Sequence, residues 1–330
     1  MHDEILKMGP HDVGGEKYLQ IDTEDHGMTY WEKFSNGLRI AVSAKKIITL
    51  DELRLTAEKF GDEYFQMEYF ERNGKALTHA CLNKKLLTDK ELIAGKTRHK
   101  ENFTIPIIEL PDPKSIIHLH DGEPHTHSRD DFQEDEKGEG PPDYFLEMLT
   151  IADILTEKKL IKMEDIFLKI EQFDNQYPAR GIDVVTRAWV DNSFRDFLIN
   201  DAKNAIIDIG IKLESFADII CMPQSDKTHH LVVCTLCSCY PRALLGMPPS
   251  WYKSRSYRSR VVYEPRKVLE EFGTIIPDSV EVKVHDSNAD MRYLILPQRP
   301  KGTEGWSESA LSALISRDHL VGVRLPKNVI

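Results

Sequence analysis

Through the first hundred positions the apolar residues recur at helical rather than alternating spacing. An irregular start, PHDVGGEKYLQIDTED, carries the Gly14-Gly15 pair of a turn or coil. Tyr30 to Ala44 then reads as an amphipathic helix. Thr49 with Glu52 three residues on is a capping-box start for a second helix, DELRLTAEKF, closed by Gly61. A third is expected from about Glu63 to Asn83, and Thr88-Asp-Lys-Glu opens a short fourth. With no convincing strand pattern, residues 1–110 read as a small helical domain.

The pattern of residues 141–330 is different. It starts helical, in DYFLEMLTIADILTEKKL, in MEDIFLKIEQF and from Gly181 to Gly210. Near Ala217 it switches to short β-branched runs: ADIICM, HHLVVC, SVEVKVHD, RYLILPQ and HLVGVRL, with one helix around Arg258 to Phe272. Helices and strands in separate blocks point to an α+β fold. Between the two parts, residues 111–140 have almost no aliphatic side chains. Asp112 to Gly140 holds nine acidic residues against three basic ones, with His118, His120, His125 and His127 among them. Such a stretch cannot bury enough to order itself, so a flexible, solvated tether is expected there, not a site.

Composition narrows the function classes. A chain of 330 residues, 41% hydrophobic and 29% charged, suits a soluble protein of two domains. No run reaches the ~18 apolar residues of a membrane span. The net charge, 43 − 54 = −11, makes a general nucleic-acid binder a poor expectation. The start, MHDEILKMGPHD, lacks a signal-peptide layout. Five cysteines, three of them within Cys234–Cys239, do not make a disulfide scaffold. A cytoplasmic protein with one thiol-based site is expected.

The chemistry concentrates in VVCTLCSCY, residues 232–240. CxxC puts two sulfurs on one side of a tight turn, as zinc sites and dithiol redox pairs require. The added CxC is unusual. Cys237 and Cys239 can share a metal only if the backbone wraps around it, which brings the peptide nitrogens of Ser238 and Cys239 within reach. Thiolates with deprotonated amides suit low-spin Co(III) or Fe(III) better than zinc. Three other readings stay open on the residues alone: structural zinc with Cys221, His229 or His230 as fourth ligand, a redox dithiol, or an inert buried cluster.

The surrounding residues carry a resemblance. VVCTLCSCYP followed by LLGMPPSWYKSRSYRSRVVYEPRKVLEEFG, and then DSNADMRYLILPQRPKGTEGWSESALSALISRDHLVGV, resembles the metal-binding subunit of the nitrile hydratase and thiocyanate hydrolase family. RAWVDNSFRDFLINDAKNAI continues the likeness before the motif. HDVGGE, WEKF, ITLDELRLTAEKFG and YFERNGKAL are similar to the N-terminal half of the family's other subunit. The chain thus looks like a fusion: a beta-type helical half, a tether, then an alpha- or gamma-type domain with a helical arm and a β-layered metal-binding core.

The resemblance implies a hydrating enzyme acting on a C≡N bond, a lyase or hydrolase. It implies one Co(III), alternatively Fe(III), held by Cys234, by Cys237 as sulfinate, by Cys239 as sulfenate, and by the backbone nitrogens of Ser238 and Cys239. Thr235 is the residue associated with cobalt. The nucleophile would be hydroxide at the metal's sixth position or the sulfenate oxygen of Cys239. Arg54 would grip the sulfur oxygens with its planar fork. Tyr69 would hydrogen-bond near the substrate, Arg242 and Trp251 would line its pocket, and Arg292 with Asp286 would be a supporting pair.

Departures from the family pattern matter as much. No β-barrel follows Lys96, so the second arginine that grips the oxygens is expected from a separate barrel subunit in a hetero-oligomer. Arg242 stands where nitrile hydratases carry tryptophan, and Ser215 where a glutamine is common. Tyr240 to Lys267 holds seven bases and one acid, a field that would favour an anion. These features lean toward thiocyanate, converted to carbonyl sulfide and ammonia, with nitrile-to-amide hydration as the alternative. A zinc-stabilised interaction module and a metal escort protein are the remaining readings.

Overall fold

The structure is a computed structural model that describes residues 11–102, 117–120, 123–126, 141–176, 179–213 and 217–329. The chain divides into two compact units, Met28–Ile170 and Met1–Gly27 with Glu171–Ile330.

The first unit is helical. α1 (Tyr30–Ala44) and α2 (Leu50–Glu58) both begin with capping boxes, Thr29 with Glu32 and Thr49 with Glu52. The third expected helix is interrupted: a 3₁₀ turn at Gly61–Phe65 precedes α3 (Tyr69–Asn83). α4 (Asp89–Asn102) is longer than the short helix expected. The helix Asp143–Glu157, expected with the second half of the chain, packs here instead. Phe145, Met148, Ile151 and Leu155 close a core with Phe34, Leu38, Leu77 and Ile166. Phe145 meets Trp31 at 4.8 Å and Phe34 at 5.6 Å between ring centroids. Gly95 lets α4 come close, since a Cβ there would overlap the Thr150 side chain. A helix buried on most of its faces needs helices all around it, and α1, α3 and α4 supply them.

Most of the expected tether lies outside the described residues. Within it the backbone of β1 (Ile117–His120) pairs antiparallel with β2 (Glu123–Thr126), a hairpin that the composition did not suggest.

The second unit is α+β, as expected. β3 (Asp218–Pro223) pairs in parallel with β6 (Met291–Leu296), and β4 (Thr228–Val233) with β5 (Glu281–Asp286). β4 is buried along nearly its whole length. The expected helix around Arg258 to Phe272 is two, Arg255–Tyr263 and Pro265–Glu271, parted where Pro265 starts the second. HLVGVRL, expected as a strand, is instead the end of the helix Arg317–Val321 and its exit. Ser316 and His319 form its capping box, and Gly322 at φ 92° closes it.

Two outcomes test these packings. Phe145→Ala should destabilise the helical unit by about 3–5 kcal/mol, read by chemical denaturation. Burial and the Arg324 charge hold the His319 pKa down to about 4, while Nδ1 accepts from the Ser316 N–H at 2.8 Å. Protons therefore favour the unfolded chain from the ordinary histidine value of 6.5 downward, and stability is lost as pH falls through that window toward 4. His319→Gln should flatten the loss, measured as urea midpoints across that range.

Candidate metal centre

β4 delivers the chain at Val233 to the cysteine loop, and the parallel register sets Asp286 beside Val233. The Ser287 N–H donates to the Val233 carbonyl at 2.7 Å, so the β5 end and the loop entrance are tied together. In the loop, Sγ of Cys234 lies 3.6 Å from Sγ of Cys237, which lies 3.4 Å from Sγ of Cys239. All three sulfurs fall within 4.8 Å of one another. The Cys237 N–H donates to Cys234 Sγ at 3.3 Å. Cys234 and Cys239 are buried and Cys237 is half-buried.

The loop backbone is held from outside. The Asp286 carboxylate accepts from the Thr235 N–H at 3.0 Å and from its hydroxyl at 2.6 Å. Arg258, 2% exposed, donates from Nε to the Cys234 carbonyl at 3.1 Å and from Nη2 to the Thr235 carbonyl at 2.6 Å. The Tyr252 hydroxyl donates to the Cys239 carbonyl at 2.8 Å, and that of Tyr257 to the Val232 carbonyl at 2.6 Å.

Crowding three sulfurs in a buried turn opposes their ionisation. Hydrogen bonding with Cys237 and Cys239, then burial, raises the Cys234 thiol well above its ordinary pKa. For Cys239 a hydrogen bond with Cys234 lowers the pKa, but hydrogen bonding with Cys237 and burial prevail and push it up to about 11. The Arg292 charge pulls it the other way. A multiply charged, thiophilic cation is what would reverse this balance, so the donor set fits a metal ion.

The structural-zinc reading finds no fourth ligand among the described residues. The metal-ligating group holds only the three cysteines. His229 Nε2 is hydrogen-bonded to the Gly322 carbonyl at 2.7 Å, His230 Nδ1 faces His285 Nε2 at 2.8 Å, and Cys221 is buried in β3.

The remaining expected site residues fall in several places. Asp286 and Arg292 are not ion-paired with each other among the described residues; Asp286 grips Thr235, and Arg292 Nη1 donates to the Met291 carbonyl. Trp251, expected at the substrate pocket, is packed among aromatic residues of the unit's core. It is 1% exposed and stacks edge-on with Tyr257 at 4.9 Å and Phe272 at 4.8 Å. Arg242 opens the short helix Arg242–Leu245 and is half-buried. Ser215 lies outside the described residues. Arg54 and Tyr69 belong to the helical unit, where Arg54 pairs with Asp51 at 3.5 Å and Tyr69 stacks on Phe70. Sequence reasoning missed Arg258, Tyr252 and Tyr257, whose only signal was their position in the SWYKSRSYRSR run.

The basic stretch from Tyr240 to Lys267 is mostly engaged inside the unit. Arg255 pairs with Glu16, Arg260 with Glu264 and Glu271, and Lys267 with Glu264. Arg266 caps the carbonyls of Ile276, Pro277 and Val280. These charges are neutralised locally, so the expected anion-attracting field does not extend over the whole stretch.

Comparison with known proteins agrees with this geometry. Residues 143–324 match the family model "Nitrile hydratase, alpha chain", and residues 8–130 match "Nitrile hydratase beta subunit, N-terminal". The high-molecular weight cobalt-containing nitrile hydratase subunit alpha of Rhodococcus rhodochrous is 46% identical over 175 residues, 52% of this chain and 86% of that protein. Thiocyanate hydrolase subunit gamma of Thiobacillus thioparus is 35% identical over 196 residues, 56% of this chain and 81% of that protein. A solved recombinant thiocyanate hydrolase with partially modified cobalt centres superposes with a TM-score of 0.54 at 33% identity, covering 58% of this chain and 95% of that one. No helix among the described residues is long and apolar enough to cross a membrane. With its clustered thiols at the end of β4 and more than half its length inside the alpha-chain match, the chain belongs to the nitrile hydratase family, whose members include thiocyanate hydrolase.

Proposed function

We propose that the chain hydrates a C≡N bond at a trivalent cobalt, alternatively iron, held by Cys234, Cys237 and Cys239 with the backbone nitrogens of Ser238 and Cys239. The observation that carries this reading is three sulfurs within 4.8 Å in the loop after a buried strand. Thr235 and the cobalt-containing relative favour cobalt. When bound, the ion supplies Lewis acidity toward the substrate nitrogen or a water.

The chain's own residues supply the rest. Cys237 as sulfinate and Cys239 as sulfenate would carry oxygens beside the bound ion. The family resemblance would give Arg54 the steadying of such oxygens and Tyr69 a hydrogen bond near the substrate. A separate β-barrel subunit supplies the second arginine, which makes the working enzyme a hetero-oligomer. The division into a helical domain at 1–110, a tether and a metal-binding domain at 141–330 describes the parts of this fusion. The compact units differ from it because the helix Asp143–Glu157 and the strap before Gly27 each pack with the opposite half.

For the substrate, Arg242 beside the loop favours the anion thiocyanate. Water added across its C≡N bond gives a thiocarbamate-type species, which takes up a proton and parts into ammonia and carbonyl sulfide. Nitrile hydration is the second reading, favoured by 46% identity to a nitrile hydratase subunit against 35% to the thiocyanate hydrolase subunit.

The deciding experiment is elemental analysis of protein purified with its native partners, with the same sample assayed on thiocyanate and on a small nitrile. The expected result is stoichiometric cobalt, the added mass of a sulfinate and a sulfenate on the peptide spanning Cys234–Cys239, and ammonia release from thiocyanate. Amide from the nitrile alone reassigns the substrate. Zinc with neither turnover sinks the enzyme reading and leaves an interaction module. Two variants refine it. Arg242→Leu should raise KM for thiocyanate about tenfold, less so at high salt, without changing KM for a neutral nitrile. Arg54→Lys should lower kcat about a hundredfold with cobalt content unchanged, because a lysine cannot hold two oxygens at once.

A further inference from the structure

The segment His11–Gly27 forms no helix or strand, yet it lies along the metal-binding unit. It belongs to the beta-subunit match, whereas what it touches belongs to the alpha-chain match. Its first residues converge on the cysteine loop. The Val13 N–H donates to the Thr235 carbonyl at 3.4 Å, and the Gly15 N–H to the Ser259 carbonyl at 3.0 Å. Gly14 packs tightly on the loop: a Cβ there would sit 3.0 Å from Thr235 Cγ2, so a side chain would have to displace that methyl. Glu16 anchors the strap through Arg255 at 2.8 Å.

Arg258 joins strap and loop. Its Nη2 donates to the His11 carbonyl at 3.0 Å as well as to the Thr235 carbonyl, while Nε holds the Cys234 carbonyl. No carboxylate pairs with this buried guanidinium among the described residues, so backbone carbonyls take the place of water in solvating its charge. The peptide between Cys234 and Thr235 is thereby gripped at both ends, its carbonyl by Arg258 and its N–H by Asp286. The next carbonyl is gripped by Arg258 and Val13 together. Because the Ser287 N–H also holds the Val233 carbonyl, the peptides on both sides of the Cys234 Cα are fixed, and with them the Cα–Cβ direction that carries its sulfur.

We propose that Arg258 is a positioning residue for the cysteine loop and that the strap His11–Glu16 is its partner. The beta-type segment thus completes, within one chain, the mould that keeps the alpha-type loop ready for metal. A strap carried on the same chain is present at a high effective concentration, so the mould does not depend on subunit encounter. Lifting the strap removes one of three acceptors from a buried cation and lets water reach it, which loosens the loop it holds.

The test uses the full chain and two variants. Arg258→Lys keeps the charge but cannot span three carbonyls; Gly14→Val pushes the strap off Thr235 without touching Arg258. Amide hydrogen exchange in the metal-free protein should accelerate about tenfold for the peptide Leu231–Tyr240 in both variants, with the helix Asp143–Glu157 unchanged. Cobalt titration, followed by thiolate-to-cobalt charge-transfer absorption, should need about tenfold more metal. Unchanged exchange and uptake in both variants overturns the proposal; a response to Arg258→Lys alone overturns the strap's part in it. If Arg258→Lys accelerates exchange everywhere it has not folded, and Gly14→Val decides. Only the cobalt readout rests on the proposed function: a wild-type chain that takes up no cobalt sinks that function, while the exchange measurement still judges the strap.

Discussion

A six-residue loop that turns three sulfurs toward one point cannot satisfy its own peptide groups. Ladder and helix hydrogen bonds are unavailable to it, and buried N–H and C=O groups without partners are costly. The rest of the metal-binding unit is arranged around that constraint. Asp286 arrives on β5, Arg258 and Tyr257 on one helix, and Tyr252 on the helix before it. Asp286 and Arg258 hold the two ends of the Cys234–Thr235 peptide, Tyr252 holds the Cys239 carbonyl, and Tyr257 holds the Val232 carbonyl just before the loop. The parallel pairing of β4 with β5 is what brings an acid distant in sequence to the residue after Cys234.

The same constraint changes the reading of the basic stretch. Counted along the chain, its charges look like an attractant for anions. In the fold most of them are spent on holding carbonyls or closing ion pairs with Glu16, Glu264 and Glu271. The stretch therefore does not act as one general field. The aromatic residues follow suit. Trp251 stacks on Tyr257 and Phe272 and so supports Tyr257, whose hydroxyl holds the Val232 carbonyl at the end of β4.

Fusion of two halves leaves its mark in how segments pack. The helix Asp143–Glu157 lies beyond the tether but completes the core of the first helices, because its apolar residues cover most of its circumference. The strap before Gly27 makes the opposite exchange and packs on the metal-binding unit. Each half of the sequence thus holds a piece of the other's compact unit, the helix Asp143–Glu157 in one core and Ile21 of the strap in the other.

Local chemistry was legible in the sequence. α1, the capping box at Thr49 and the runs that became β3 to β6 follow from periodicity and caps that act within a few residues. The three cysteines announced a thiol centre because their spacing alone restricts how far apart the sulfurs can lie. HLVGVRL misled, since a β-branched run reads as a strand until the Ser316 cap and the Gly322 exit make it helical. The burial of Trp251 was not legible, because exposure is not written in residue type. Arg258 was invisible for the same reason: an arginine among arginines becomes a clamp only when a helix, a strand end and the distant residue His11 meet around it. Spacing decides what adjacent atoms can do; which charges are buried, and whose carbonyls they face, is decided only when segments far apart in sequence pack together.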